Sequence, residues 1–168
     1  MATTPGIRVV RSIKMKRKQL TLSRVLRPLL ACRPGDVDPG HWWFEIGDPR
    51  SPTSESYGWW PSRWPNGWRL LWDILCGVPG NLNGTILFPA GVHNRDPHHG
   101  DAADEVFYPA VLLNDGRTDA QIELCLQTFA NAYKGKWQWL FGFGQNCHTF
   151  QKAAMKHCRL KRDPSVKP

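Results

Sequence analysis

Two short aromatic-rich segments constrain the fold of this chain more than any other feature of its sequence. Residues 41–47 have the sequence HWWFEIG, and residues 55–60 have the sequence ESYGWW. Aromatic residues favour β-strands, and the polar, proline-containing segment at residues 48–54 is typical of a loop between them. Pro61 closes the second segment. The pattern predicts two paired strands that bury much of their aromatic surface.

The last third of the chain contains two helical patterns. Thr118 and Gln121 have the spacing of a capping box, in which the two side chains satisfy free backbone donors at a helix start. Apolar residues then recur at helical spacing, at Ile122, Cys125, Leu126, Phe129 and Tyr133. A second helix is predicted over residues 147–157, and further strands over residues 85–88 and 106–113. These elements together predict an α+β fold, with an antiparallel sheet packed against helices.

Positive charge is concentrated at one end of the chain. The formal net charge is +8, yet residues 1–33 hold nine basic side chains and no acidic one. This contrast predicts a basic N-terminal arm or linker over residues 1–36, a catalytic domain over residues 37–160 and a basic tail over residues 161–168. Such an arm would contact an acidic partner or an anionic surface. No apolar run approaches the roughly 18 residues of a membrane helix, so no transmembrane segment is expected.

The cysteines do not form a recognisable framework. There are five of them, an odd number, and no two have the C-x-x-C spacing. A disulfide framework or a structural zinc site is therefore not predicted, and the cysteines are expected to be reduced. Cys125 and Cys158 fall within helical patterns and are predicted to be buried as small apolar side chains.

Residues 144–150, with the sequence GQNCHTF, carry the strongest chemical signal. Gly144 lets the backbone approach a substrate, and Asn146 is a good helix cap. Cys147 would then lie in the first turn of a helix, where the helix dipole and free N–H groups favour a thiolate and can face an oxyanion. The best candidate for a base is His41, which begins a predicted strand directly after a Pro-Gly turn.

Three segments together resemble circularly permuted papain-like hydrolases. They are residues 40–46 (GHWWFEI), residues 55–58 (ESYG), and residues 146–150 (NCHTF), which follow an amphipathic helix. The resemblance is to permuted relatives of the NlpC/P60 group, among them the lecithin retinol acyltransferase-like and PPPDE peptidase families. In these families a histidine on an early strand precedes a cysteine that opens a late helix. The resemblance covers about residues 38–158 and implies a permuted papain-like fold.

The resemblance also implies roles for individual residues. Cys147 would be the nucleophile, and His41 the general base and acid. The third group, which orients the histidine, would lie on the strand after the histidine strand, where Glu55, Ser56 and Tyr57 all remain candidates. Glu55 is chemically the best partner for an imidazole, whereas strand alternation places Ser56 on the face opposite Glu55 and Tyr57.

Gln145 and Asn146 are the candidates for stabilising an oxyanion, and the resemblance implies neither a metal nor a cofactor. The implied activity is that of a cysteine-dependent amidase or peptidase, acting through a thioester on peptidoglycan peptides or on amide bonds of a host protein. The implied setting is a bacterial effector toxin, exported from the bacterial cytoplasm without a classical signal peptide. Such toxins imply an immunity protein or a secretion chaperone as a partner.

Three other functions stay open at the level of sequence. An acyltransferase or a deamidase would use the same cysteine and histidine with a different acceptor. A metal-dependent nuclease would use the loop from His93 to His99, which also holds Asp96 and is followed by Asp101. A non-enzymatic binding module would keep the fold with an unreactive Cys147.

Overall fold

A computed structural model describes residues 6–19, 40–63, 69–84, 94–138 and 144–162. Several predicted features lie outside these ranges, namely the strand at residues 85–88, His93, residues 1–5 and 20–36 of the arm and residues 163–168 of the tail.

The described residues form strands and helices in a mixed order. The strands are β1 (Ile7–Val9), β2 (Ile13–Gln19), β3 (Gly40–Ile46), β4 (Glu55–Pro61), β5 (Val78–Leu82), β6 (Glu105–Phe107), β7 (Pro109–Leu112), β8 (Lys136–Trp137) and β9 (Lys161–Arg162). The helices are α1 (Leu70–Cys76), α2 (Asp119–Ala132) and α3 (Cys147–His157), with a 3₁₀ turn at Leu113–Asp115. None of the helices in the described ranges is long and apolar enough to cross a membrane.

Two antiparallel sheets organise the fold. The larger has the strand order β6-β2-β3-β4-β5-β8, and the smaller has the order β1-β7-β9. The α+β class is therefore confirmed. β3 and β4 pair as predicted, with Trp43 opposite Gly58 and Phe44 opposite Tyr57. The strand predicted at residues 106–113 is present as β6 and β7.

Both predicted helices are confirmed, together with their caps. At the start of α2, Gln121 N donates to Thr118 Oγ1 at 3.3 Å. The Gln121 side chain in turn accepts from Thr118 N at 2.9 Å, which completes the capping box. α3 has the predicted bounds, residues 147–157.

The two faces of the larger sheet have different roles. On β3, Trp42, Phe44 and Ile46 alternate with His41, Trp43 and Glu45. The first set faces the helices and packs in the hydrophobic core, where the Phe44 ring lies 5.9 Å from the Phe150 ring of α3. The second set shares the opposite face with Ser56, Gly58 and Trp60 of β4. One face thus supplies stability, and the other gathers polar groups.

The prediction of a basic arm over residues 1–36 is wrong for β1 and β2. β2 pairs with β3 along its whole length, from Ile13 opposite Ile46 to Gln19 opposite Gly40. The many basic residues of this segment obscure its strand alternation, in which the fully buried Ile13 and Met15 alternate with Lys14 and Lys16. The lysine charge is also neutralised within the sheet, since Lys16 Nζ lies 2.8 Å from Glu45 Oε2.

A disulfide joins the two long helices. Cys125 of α2 is bonded to Cys158, which directly follows α3, and their Cα atoms are 5.9 Å apart. The prediction that these cysteines are reduced is therefore wrong. Cys158 is fully buried as predicted, whereas Cys125 is only partly buried. The distance between the two cysteines depends on how α2 packs on α3, which the sequence spacing alone does not give. Among the described cysteines, Cys76 and Cys147 are free.

Removal of this disulfide is expected to destabilise the protein. The bond closes a loop of 33 residues, for which the loss of chain entropy in the unfolded state corresponds to about 3–4 kcal/mol. The double variant Cys125→Ala/Cys158→Ala is expected to unfold at a lower urea concentration than the oxidised protein. Dithiothreitol should lower the midpoint of the oxidised protein and leave that of the double variant unchanged. Equal midpoints for the oxidised protein and the double variant would contradict this expectation.

Candidate active site

Cys147 is the first residue of α3, and Asn146 caps the helix in front of it. The Asn146 side chain accepts from His148 N at 3.0 Å and from Thr149 N at 3.1 Å. Asn146 N donates to Thr149 Oγ1 at 2.8 Å, so the cap is reciprocal. Cys147 is half-buried at the positive end of the helix dipole. The sequence prediction of this cap is confirmed.

Cys147 lies beside the first residues of β3. Its thiol donates to Gly40 O at 3.5 Å, and its side chain lies close enough to the His41 ring to raise the pKa of that histidine. The His41 side chain is only 4% exposed. The structure therefore brings together the two residues that the sequence singled out, across a separation of more than a hundred positions.

Asp96 is the second neighbour of the His41 ring. His41 Nε2 lies 2.9 Å from Asp96 Oδ2, and the Asp96 side chain is completely buried. Because Nε2 is hydrogen-bonded to Asp96, Nδ1 is the ring nitrogen that remains available to Cys147. Cys147 and Asp96 are thus both neighbours of the His41 ring. The prediction that a β4 side chain orients His41 is wrong, because an aspartate from the loop before β6 does so.

None of the three β4 candidates is hydrogen-bonded to His41 in the described residues. Glu55 Oε2 accepts from Tyr57 Oη at 2.6 Å and from Gln127 Nε2 of α2 at 2.7 Å, on the helix-facing side of the sheet. Ser56 is on the His41 face, but its hydroxyl accepts from Asp96 N at 2.8 Å. Ser56 therefore anchors the backbone of the aspartate rather than the imidazole.

The Asp96 carboxylate is held by further donors. Trp60 Nε1 donates to Oδ2 at 2.8 Å, and His98 N donates to Oδ1 at 2.9 Å. Burial raises the pKa of Asp96. The charge and hydrogen bond of His41, together with the hydrogen bonds from the Trp60 side chain and the His98 backbone, lower that pKa below its ordinary value. Asp96 is therefore ionised at neutral pH.

His41 is held in its charged form by these neighbours. Burial lowers the pKa of His41, but the charge and hydrogen bond of Asp96, followed by those of Cys147, raise it to about 9. The imidazolium and the Asp96 carboxylate are thus a buried ion pair at neutral pH. A buried charge of this kind is tolerated only when it is paired and hydrogen-bonded.

Aromatic rings enclose the imidazole. The Trp43 ring is stacked on it at 5.6 Å with an interplanar angle of 9°, and the Trp60 ring lies at 4.1 Å with an angle of 34°. The His98 ring is 5.4 Å away. These rings exclude water, which strengthens the electrostatic interactions within the ion pair.

Gly58 of β4 leaves the space that the ion pair fills. A Cβ atom at this position would overlap Asp96 Oδ2 and would lie 2.9 Å from His41 Nε2. A glycine within a strand often marks a close approach of another group. Gly58 was thus a signal in the sequence that something packs against β4 next to His41, although not a signal that the group is Asp96.

The predicted oxyanion residues are used differently. The Asn146 side chain forms the helix cap, and Gln145 Oε1 accepts from Lys136 N of β8 at 3.2 Å. Within the described residues, the backbone N–H of Cys147 itself donates to no other group. That N–H is the best placed donor for an oxyanion on the carbon atom that the sulfur attacks.

The histidine-rich loop is occupied by internal contacts. His98 Nδ1 and Lys18 Nζ both bond to Asp101 Oδ2, at 2.9 Å and 2.7 Å. His99 is hydrogen-bonded to Ser54 and Ser56. In the part of the chain that the structure describes, no three His, Cys, Asp or Glu side chains are arranged to hold a metal ion.

No family model matches the sequence of this chain, and the comparisons with curated proteins and with solved structures give no match.

Proposed function

We propose that this protein is a cysteine-dependent hydrolase of amide bonds, with Cys147 as nucleophile, His41 as base and acid, and Asp96 as the orienting carboxylate. One observation carries the proposal: the buried His41 imidazole is 2.9 Å from the Asp96 carboxylate through Nε2, and it is a close neighbour of Cys147, whose thiol donates to the backbone of Gly40. A nucleophile, a base and a group that orients the base are the parts that nucleophilic catalysis requires.

In the first half of the reaction, the substrate is cleaved and the enzyme is acylated. An imidazolium beside a thiol stabilises the thiolate, which is the nucleophilic form. Cys147 Sγ attacks the carbonyl carbon, and the carbonyl oxygen becomes an oxyanion that the Cys147 N–H stabilises. The carbon–nitrogen bond then breaks, and His41 gives its proton to the leaving amine. A thioester on Cys147 and a neutral His41 remain.

In the second half, water releases the acyl group. Neutral His41 takes a proton from water, the hydroxide oxygen attacks the thioester carbon, and the carbon–sulfur bond breaks. The products are a carboxylic acid and the thiolate–imidazolium pair. Asp96 stabilises the imidazolium in both halves without itself taking a proton.

We also propose that the fold is a permuted papain-like one. The order of the elements supports this, because the histidine strand β3 precedes the cysteine helix α3 in the chain and α3 packs on the sheet. Peptide or peptidoglycan substrates, a role as an effector toxin and an inhibiting immunity partner rest on the sequence resemblance alone. An acyltransferase or a deamidase would share the acylation step and differ in the acceptor.

The reactivity of Cys147 tests the proposed function without knowledge of the substrate. Iodoacetamide is added at pH 7, and labelling of each cysteine is followed by peptide mass spectrometry. An ordinary cysteine is only about 3% thiolate at pH 7, so full thiolate formation raises its rate by at most roughly thirtyfold. We expect Cys147 to react at least about tenfold faster than Cys76.

Cys76 is a matched internal control, because it is also free and half-buried. The His41→Ala variant is expected to bring the rate at Cys147 down to the rate at Cys76. If Cys147 of the native protein reacts no faster than Cys76, the proposed mechanism is wrong.

A further inference from the structure

Trp60 touches both members of the buried ion pair. It lies on β4, two residues after Gly58 and on the same face of the sheet as His41. Its Nε1 donates to Asp96 Oδ2 at 2.8 Å, and its ring centroid is 4.1 Å from that of His41. One side chain is thus in contact with the carboxylate through its edge and with the imidazole through its ring.

The hydrogen bond from Trp60 restricts the rotation of the carboxylate. Asp96 Oδ2 receives two donors, His41 Nε2 at 2.9 Å and Trp60 Nε1 at 2.8 Å, while Oδ1 receives His98 N. With both oxygens held, the carboxylate cannot turn away from the imidazole. A charged acceptor makes such hydrogen bonds stronger than neutral ones.

The Trp60 ring acts on the imidazole directly. An aromatic face attracts a cation within about 6 Å of the ring centroid, and tryptophan is the most effective of the aromatic residues. At 4.1 Å, Trp60 is closer to His41 than Trp43 is, at 5.6 Å. The ring therefore favours the imidazolium, the form that stabilises a neighbouring thiolate.

We propose that Trp60 is a positioning residue of this site, which fixes the Asp96 carboxylate against His41 through its indole N–H. The inference rests on the proposed function, because it assigns Trp60 a part in keeping Cys147 reactive. It adds a fourth residue to the three that carry the chemistry.

Trp43 provides the matched control. It also presents an indole ring to His41 from the same face of the sheet, with its own N–H directed elsewhere. Trp43 Nε1 donates to Glu45 Oε1 at 3.1 Å and not to Asp96. A comparison of Trp60→Phe with Trp43→Phe therefore separates the loss of the bond to Asp96 from the general loss of an indole N–H beside the imidazole.

The test has two readouts on the full-length protein. The first is the titration of the His41 imidazole by NMR, and the second is the rate of iodoacetamide labelling at Cys147 from pH 5 to pH 10. For Trp60→Phe we expect the His41 midpoint to fall by about one pH unit or more, since the carboxylate is no longer held in line. We expect the labelling rate at pH 7 to fall several-fold, and to fall less in Trp43→Phe, which keeps the hydrogen bond from Trp60 to Asp96.

The two proposals fail in different ways. If native Cys147 reacts no faster than Cys76, the proposed function fails, while the His41 titration of Trp60→Phe still tests the positioning. If native Cys147 is reactive and Trp60→Phe leaves both the midpoint and the rate unchanged, only the assignment of Trp60 is overturned. An equal effect of Trp43→Phe would also overturn it.

A second replacement covers the case in which Trp60→Phe does not fold. Incorporation of 3-benzothienylalanine at position 60 keeps the shape of the indole and replaces its N–H by sulfur. The same fall in the His41 midpoint is expected, because the ring stays in place and only the donor to Asp96 is lost. An unchanged midpoint would overturn the proposal.

Discussion

Replacement of Asp96 by asparagine is expected to lower the pKa of His41 from about 9 to near or below its ordinary value of 6.5. Burial of the imidazole favours the neutral form, and the Asp96 carboxylate is the largest effect that opposes burial. The neutral amide removes the charge and keeps the size of the side chain. At pH 7 His41 therefore changes from an imidazolium to a largely neutral imidazole, and an NMR titration of its ring measures this directly.

An asparagine also cannot reproduce the hydrogen bonds of the carboxylate. Both Asp96 oxygens accept from donors, Trp60 Nε1 on Oδ2 and His98 N on Oδ1. An amide has one acceptor oxygen, so its NH₂ group must face one of these donors. If the NH₂ group takes the place of Oδ2, it donates to His41 Nε2 and leaves the ring proton on Nδ1, the nitrogen that must serve Cys147. The base then has the wrong tautomer.

Loss of the His41 imidazolium is expected to lower the reactivity of the Cys147 thiol. Without it, Cys147 is expected to label with iodoacetamide at pH 7 at the rate of an ordinary cysteine, a decrease of roughly tenfold or more. Asp101→Asn is the matched control, because Asp101 belongs to the same loop and pairs with Lys18 and His98 without a contact to His41. A native His41 titration in Asp96→Asn would contradict the assignment.

The stability of the protein should depend on pH through the ionisation of His41 and Asp96. The pKa of His41 is raised on folding, so its contribution is complete below about 6.5 and is lost as the pH rises through about 9. The pKa of Asp96 is lowered, so its contribution is present above about 3.8 and is lost as the pH falls. The free energy of unfolding should therefore decrease between pH 6.5 and pH 9 in the native protein and less so in Asp96→Asn.

The parts of this site that the sequence predicts are those set by local rules. The cap formed by Asn146 and the position of Cys147 at the helix start follow from residues within one turn of each other. The β3–β4 pair follows from two aromatic segments joined by a short loop. His41 follows from its place at the start of the first of these strands.

The parts that could not be predicted depend on contacts between distant segments. Asp96 lies 55 positions from His41, in a polar loop with the composition of a solvated surface. The Cys125–Cys158 disulfide likewise depends on the packing of two helices. The sequence does not predict β2 for a different reason. The buried charges of this strand are neutralised by partners such as Glu45, and the number of basic residues alone does not indicate such pairing.

Replacement of Gly58 by alanine is expected to separate His41 from Asp96 with a single methyl group. The backbone of Gly58 does not require glycine, because its φ is not in the left-handed region. The conflict is purely steric: the new Cβ would overlap Asp96 Oδ2 and would lie 2.9 Å from His41 Nε2. Neither group can yield easily, because Oδ2 is held by two donors and the imidazole lies between aromatic rings.

The expected result for Gly58→Ala is therefore similar to that for Asp96→Asn, with an added cost of overpacking. The His41 midpoint should fall toward 6.5, Cys147 labelling at pH 7 should slow by roughly tenfold, and the free energy of unfolding should decrease by about 1–3 kcal/mol. Differential labelling and urea unfolding measure the last two effects separately.

A double-mutant cycle shows whether the methyl group acts through the aspartate. In an Asp96→Ala background the overlapping oxygen is absent and the imidazole can shift into the space that the carboxylate leaves, so Gly58→Ala should change the labelling rate of Cys147 by less than about twofold. The two substitutions are then strongly non-additive, as is expected of residues that contact each other. If Gly58→Ala instead slows Cys147 equally in both backgrounds, the methyl group disturbs the site by a route other than Asp96. The geometry that links β4 to the ion pair would then be wrong.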